Sequence, residues 1–244
     1  MNPSDLNSHQ LELLRPHEIR DRLAERSVVY LPLGTIEWHS EHLPVGLDAL
    51  TAQGVCLRAA VLDGGIVYPP LHYGTGGGHS HYPWTVMMPG AAEIEGLLRY
   101  TLERLDAFGV RLAVLFTGHF ADAQIAMIKT ICAQWNAAPH ATKALALSIN
   151  EVEGAALGPD HAGMFETTLL GALWPERVAV NRLPARDAAD ALDDPWSASR
   201  HEPTHPLWGI VGPDPRNYNP TDGPALLAAC VAWTVAQVQQ ALPR

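Results

Sequence analysis

The chain has 244 residues, 47% of them apolar, enough for one large α/β domain with a sizeable core. Its formal charge of −10 argues against the basic face a nucleic-acid binder needs. No apolar run reaches the roughly 18 residues of a membrane span, and the first residues carry no apolar leader. The three widely spaced cysteines, Cys56, Cys132 and Cys230, predict buried thiols in a cytoplasmic protein.

Ser4-Asp5 and the stretch from Arg15 to Glu18 have the composition of short helix starts. Val28 to Leu33 (VVYLPL) is a buried strand by its unbroken apolar run. Asp48 to Leu62 has helical spacing and stops at Gly64-Gly65. Ile66 to Leu71 predicts a second strand, with prolines marking an irregular end. A glycine-rich loop, 73–81, follows. Ala91 to Phe108 is an amphipathic helix stopped by Gly109, Arg111 to Phe116 a third strand, Ala121 to Trp135 a helix and Lys143 to Ile149 a fourth strand. Gly163 to Trp174 is helical, residues 184–224 form a long Pro- and Asp-rich loop region, and Leu226 to Leu242 is a closing helix. Alternating strands and helices predict a three-layer α/β sandwich, one domain over 1–244, with a mostly parallel sheet covered by helices on both faces.

Ligands bind such sheets beyond the carboxyl ends of the strands. There the ionisable residues gather. Glu37, His39 and Asp48 follow the first strand within GTIEWHSEHLPVGLD (34–48), His79 and His81 follow the second, and His119 follows the third. Ionised groups beside a buried strand cost several kcal/mol each unless paired. A salt-bridged loop, a proton-transfer site and a metal centre all meet that demand. In extended chain Glu37 and His39 point to the same side. Asp48 also suits an ordinary helix N-terminus. Five residues separate His161 from Glu166, so they share a helical face only if the turn loosens near Gly163. Mixed imidazole and carboxylate donors suit Zn, Mn or Fe, and two such cations acidify water and polarise a carbonyl. His42 is expected to orient a ligand, and His201, His205, Trp196 and Trp208 to cover the pocket.

These motifs resemble the creatininase (creatinine amidohydrolase) family. Gly34-Thr-Ile-Glu37-Trp-His39-Ser-Glu-His42-Leu-Pro44-Val-Gly-Leu-Asp48 is similar to the family's G-S-x-E-Q-H-G-P-H-L-P-L-x-T-D, at the same spacing. Gly78-His79-Ser-His-Tyr82-Pro-Trp-Thr85 resembles E-H-x-x-F-P-G-T, Thr117-Gly118-His119 resembles N-G-H, and His161-Ala-Gly-Met-Phe-Glu166-Thr resembles H-A-G-x-x-E-T. The resemblance implies a centre of two divalent transition-metal ions. Glu37 and His119 would hold one ion, His39 and Glu166 the other, and Asp48 would bridge them. His161, with Glu166, would be catalytic, His161 as the proton shuttle. His79, His81 and Trp84 are the substrate-binding candidates. A homo-oligomer acting on a small-molecule substrate, with neither nucleic acid nor membrane as partner, is the implied setting.

The sequence departs from the family at Ser40-Glu41, Leu47, Gly78 and Thr117. It also has Ala121 where creatinine-cleaving members carry a metal-binding carboxylate, and Asp122 is expected to point elsewhere. Gly158-Pro159-Asp160 lacks the tryptophan that boxes a flat substrate. The expected reaction is therefore hydrolysis of an amide, cyclic amide or formamide other than creatinine. A ring-opening C–C hydrolase of a cyclic polyol ketone and a non-catalytic metal or small-molecule binding protein are the alternatives.

Overall fold

The computed structural model describes residues 2–186 and 193–242, so residues 187–192 of the expected loop region lie outside the described residues. Helices α1 (Pro3–Asn7) and α2 (Pro16–Glu25) lead into strand β1 (Val28–Leu33) and helix α3 (Leu47–Asp63). Short strands β2 (Ile66–Val67), β3 (Gly74–Thr75) and β4 (Met87–Met88) precede helix α4 (Ala92–Ala107). Strand β5 (Leu112–Thr117), helix α5 (Asp122–Asn136), strand β6 (Lys143–Ser148) and helices α6 (Met164–Leu173) and α7 (Gly223–Ala241) complete the order. The main sheet runs β2-β1-β5-β6, every pair parallel, with Val28 opposite Leu112 and Leu33 opposite Thr117.

Alternation along the strands builds two cores. Val28, Tyr30, Val114 and Phe116 face α3, α6 and α7, packing on Val55, Phe165, Leu169 and Cys230. Val29, Leu31, Leu33 and Leu115 face the other way, onto Ile94, Leu98 and Leu102 of α4 and Ile128 and Ile131 of α5. The architecture is thus the expected α/β sandwich. All three cysteines are buried and free. Among the described residues, no helix is long and apolar enough to cross a membrane.

Two expectations are corrected. The second strand stops at Val67, because Pro69 and Pro70 offer no N–H to the ladder; Leu71 rejoins through a single bridge to Leu33. This shortness also lets Pro32 sit inside β1, since no β2 residue pairs beyond Tyr30. The glycine-rich loop is not free of structure either. Its Gly74–Thr75 pairs in parallel with Met87–Met88, and the buried Gln124 Oε1 accepts from Thr75 N–H at 3.1 Å. The segment carrying His79 is thereby closed into a defined arch.

Candidate metal centre

The carboxyl ends of β1 and β5 sit side by side, and both chains continue through a glycine, Gly34 and Gly118. The reason is steric. A Cβ on Gly118 would lie 2.1 Å from the carbonyl oxygen of Asp48, and one on Gly34 would lie 2.1 Å from the backbone nitrogen of Ala49. With hydrogen there instead, the first turn of α3 docks directly on the sheet and delivers Asp48 between the two strand ends.

Glu37, His39, Asp48, His119 and Glu166 converge there, all buried. The Asp48 carboxylate divides the cluster. Its Oδ1 lies 3.1 Å from His39 Nε2, and its Oδ2 lies 3.3 Å from His119 Nδ1. Glu37 Oε2 lies 3.0 Å from His119 Nδ1, and Glu166 Oε2 lies 3.5 Å from His39 Nε2. Among the described residues, two sets share Asp48, Glu37–Asp48–His119 and His39–Asp48–Glu166, and a third joins Glu37, His39 and His161, each with donor atoms within 4.8 Å of one another. Each imidazole is fixed from behind by a backbone carbonyl. His39 Nδ1–H donates to Glu37 O at 2.9 Å, and His119 Nε2–H donates to Gly76 O at 3.3 Å. The nitrogen facing the carboxylates is therefore the lone-pair one in each neutral ring, the arrangement that suits a metal ligand.

The donor set fits divalent cations by a further sign. His39 Nε2, Glu37 Oε2 and Asp48 Oδ2 are buried and, despite these close approaches, none is met in hydrogen-bond geometry. Burial pushes the Glu37 carboxyl up, but His161, His119 and His79 outweigh it and hold it well below the usual range. Burial pulls His39 down, yet Asp48 and Glu166 raise it to about 10. Burial lifts Glu166 well above its ordinary value, against the opposing pull of His39. A cluster so rich in opposed charge holds protons where cations can replace them.

His79 lies on the arch and its Nδ1 is 2.5 Å from Glu37 Oε1, so it fixes the oxygen of Glu37 that points away from His119. His161 sits between His39 and His79, with ring centroids 4.5 and 4.2 Å away. Its Nε2–H donates to Trp38 O at 2.9 Å, and burial holds the ring neutral, its pKa lowered to about 3.

His161 and Glu166 share the site because the turn between them is not helical. Helix α6 starts only after Gly163, and Ala162 is left-handed at φ 55°. Ala162 N–H donates to Glu166 Oε2 at 2.6 Å. The buried Asp160 carboxylate accepts the N–H groups of Gly163, Phe165 and Glu166 at 2.8 to 3.3 Å. Its capping role was detectable as an acid just ahead of a helix start, yet the sequence reading did not assign it. His42 stands behind the cluster, Nε2 3.1 Å from Thr167 Oγ1, as expected of a residue outside the ligand set.

The cluster floors a cavity of about 280 Å³ lined also by Gly77, His79, Phe120, Ala121, Asp122 and His161. Asp122 borders the cavity but belongs to none of the donor groups. Two expectations need correction. His81 is exposed and packs edge-on against Tyr82, and Trp84 is 78% exposed; neither lines the cavity. Of the expected cover, His201 Nδ1 meets the Tyr82 hydroxyl at 2.6 Å, and Trp208 packs on Trp38, ring centroids 5.2 Å apart. Trp196 is exposed, and His205 turns to Asp193.

Comparison with known proteins agrees with this geometry. The creatininase profile, described as creatinine amidohydrolase, matches residues 12–238. A creatinine amidohydrolase from Pseudomonas putida is 28% identical, over 88% of this chain and 90% of that protein. A mycofactocin precursor peptide peptidase from Mycobacterium ulcerans is 26% identical, over 88% of this chain and 86% of that protein. A solved structure described as creatininase Mn superposes with a TM-score of 0.77 at 26% identity, covering 97% of this chain and 99% of its own. Motifs, fold and match together place the chain in the creatininase family.

Proposed function

We propose that this protein is a metal-dependent hydrolase that cleaves a carbon–nitrogen bond of the amide type in a small molecule. The observation that carries the reading is the split Asp48 carboxylate, one oxygen toward each of two histidine–carboxylate sets. Glu37, His119 and Asp48 would hold one divalent cation, and His39, Glu166 and Asp48 the second. Such a pair supplies an acidified water and a polarised carbonyl.

The chain's own residues do the rest. His79 and the carbonyls of Glu37 and Gly76 orient the ligands. His161, tethered through Nε2–H, stands beside the cluster, where it would carry a proton to the leaving nitrogen. Trp38, Tyr82 and Trp208 pack together beside His79 and His161.

The two relatives named above, an amidohydrolase and a peptidase, support carbon–nitrogen hydrolysis as the reaction class. The cavity lining argues for a substrate other than creatinine: among the described residues Phe120 is its one carbocyclic aromatic, with Gly77 and Ala121 beside it and no tryptophan.

The test is metal analysis of the purified protein with an amide, cyclic-amide and formamide panel. Two bound transition-metal ions per chain and hydrolysis abolished by a chelator are expected. A protein that binds no transition metal even after soaking defeats the proposal. One that binds metal and hydrolyses nothing is a binding protein on the same fold.

A further inference from the structure

Segment 209–212 touches His161 and two of its supports, Trp38 and Asp160. Gly209 lies against Trp38, where an added Cβ would come within 2.7 Å of the indole, and the Trp38 carbonyl receives the His161 Nε2–H. Val211 exchanges both backbone hydrogen bonds with His161, at 2.8 and 2.9 Å. Gly212 lies against Asp160, where a Cβ would come within 2.4 Å, and Asp160 caps the helix that carries Glu166.

This segment belongs to no regular element, so something else must fix it. Arg200 does so. Although it belongs to a loop region, the residue is 1% exposed. Its carbonyl accepts from Gly209 N–H at 2.8 Å. Its guanidinium donates to Ile210 O at 3.3 Å and to Gly212 O at 2.6 Å, the two carbonyls flanking Val211. Asp193 Oδ2 accepts from Nε at 3.1 Å and Nη2 at 2.6 Å and neutralises the charge. A buried guanidinium that directs one nitrogen at two carbonyls of one short segment and the other two at a carboxylate suits a clamp, because its donors are held in a rigid planar fork.

We propose that Arg200, with Asp193 as counterion, is a positioning residue: it clamps the carbonyls on either side of Val211 and so fixes the backbone that grips His161. The inference rests on the proposed function only where it assigns His161 to proton transfer; the clamp itself is independent of it. Lysine cannot replace arginine here, since an ammonium cannot span two carbonyls and a carboxylate with the same geometry.

Arg200→Lys is the test, read by amide hydrogen exchange and by kinetics on the metal-loaded protein. The expected result is a loss of protection of about tenfold or more at the His161 and Val211 amides, with β1 and β5 unchanged. Metal content stays at the parent value, and kcat falls about ten- to a hundredfold with KM little changed. Asp193→Asn, the milder variant, is expected to give the same local pattern at smaller amplitude. Unchanged protection at His161 and Val211 overturns the proposal. So does a uniform loss of protection across the sheet, or failure of both variants to fold, since either makes Arg200 a residue of general stability. A parent protein without hydrolytic activity would refute the proposed function, while the exchange pattern still decides the clamp.

Discussion

Asp48 is the residue on which the two donor sets depend, so its replacement differs in kind from that of its neighbours. Asp48→Asn is expected to lower binding of both ions, whereas Glu166→Gln lowers only the one shared with His39; metal counts per chain on dialysed protein distinguish them. His42 gives a pH prediction. Burial, with His39 nearby, lowers its pKa to about 3 from an ordinary value near 6.5. A depressed histidine favours the folded state fully above 6.5, and that stability is lost as pH falls from 6.5 toward 3. His42→Asn is expected to flatten the decline of the thermal midpoint over that window. The gathering of the candidate ligand residues was legible, because interleaved acids and imidazoles after a strand have few other uses. What fixes them was not: the carbonyls of Glu37, Trp38 and Gly76 are backbone atoms, and every residue has one. Trp84 misled for the opposite reason. Its neighbour His79 reaches Glu37, but a left-handed φ of 59° accompanies an indole left in solvent.

Among elements, the start of α6 and the seat of α3 carry the site. Asp160→Ala removes acceptors for three amide groups and is expected to cost about 2 kcal/mol in denaturant unfolding, with Glu166 loosened. Gly118→Ala would press a methyl group into the Asp48 carbonyl and is expected to cost about 1–3 kcal/mol and to weaken metal binding, by moving Asp48 off the sheet. The strands and long helices were readable from apolar runs and spacing, β1, α3 and α4 among them. The β3–β4 pair was not, since two-residue strands in Gly74–Thr75 and Met87–Met88 have no period to detect. The turn at His161 was readable only as a condition, loosening near Gly163; Asp160 and a left-handed Ala162 are what meet it. The role of Arg200 was equally hidden: an arginine in a polar stretch suggests solvent, and only tertiary contact buries it.

For the molecule as a whole, the parallel order β2-β1-β5-β6 brings every donor to one end of the sheet. Without the proposed cations, the carboxylates of Glu37, Asp48 and Glu166 would be left crowded together in a buried space. Chelation is expected to lower the thermal midpoint, and Zn²⁺ or Mn²⁺ to restore it, as scanning calorimetry would show. The donors reach from Glu37 to Glu166 along the chain, and no short stretch holds a complete set. A denatured chain therefore has little grip on the ion. In a cell starved of it the native state would open more often and meet proteases sooner, so the abundance of this protein would follow the supply of its metal.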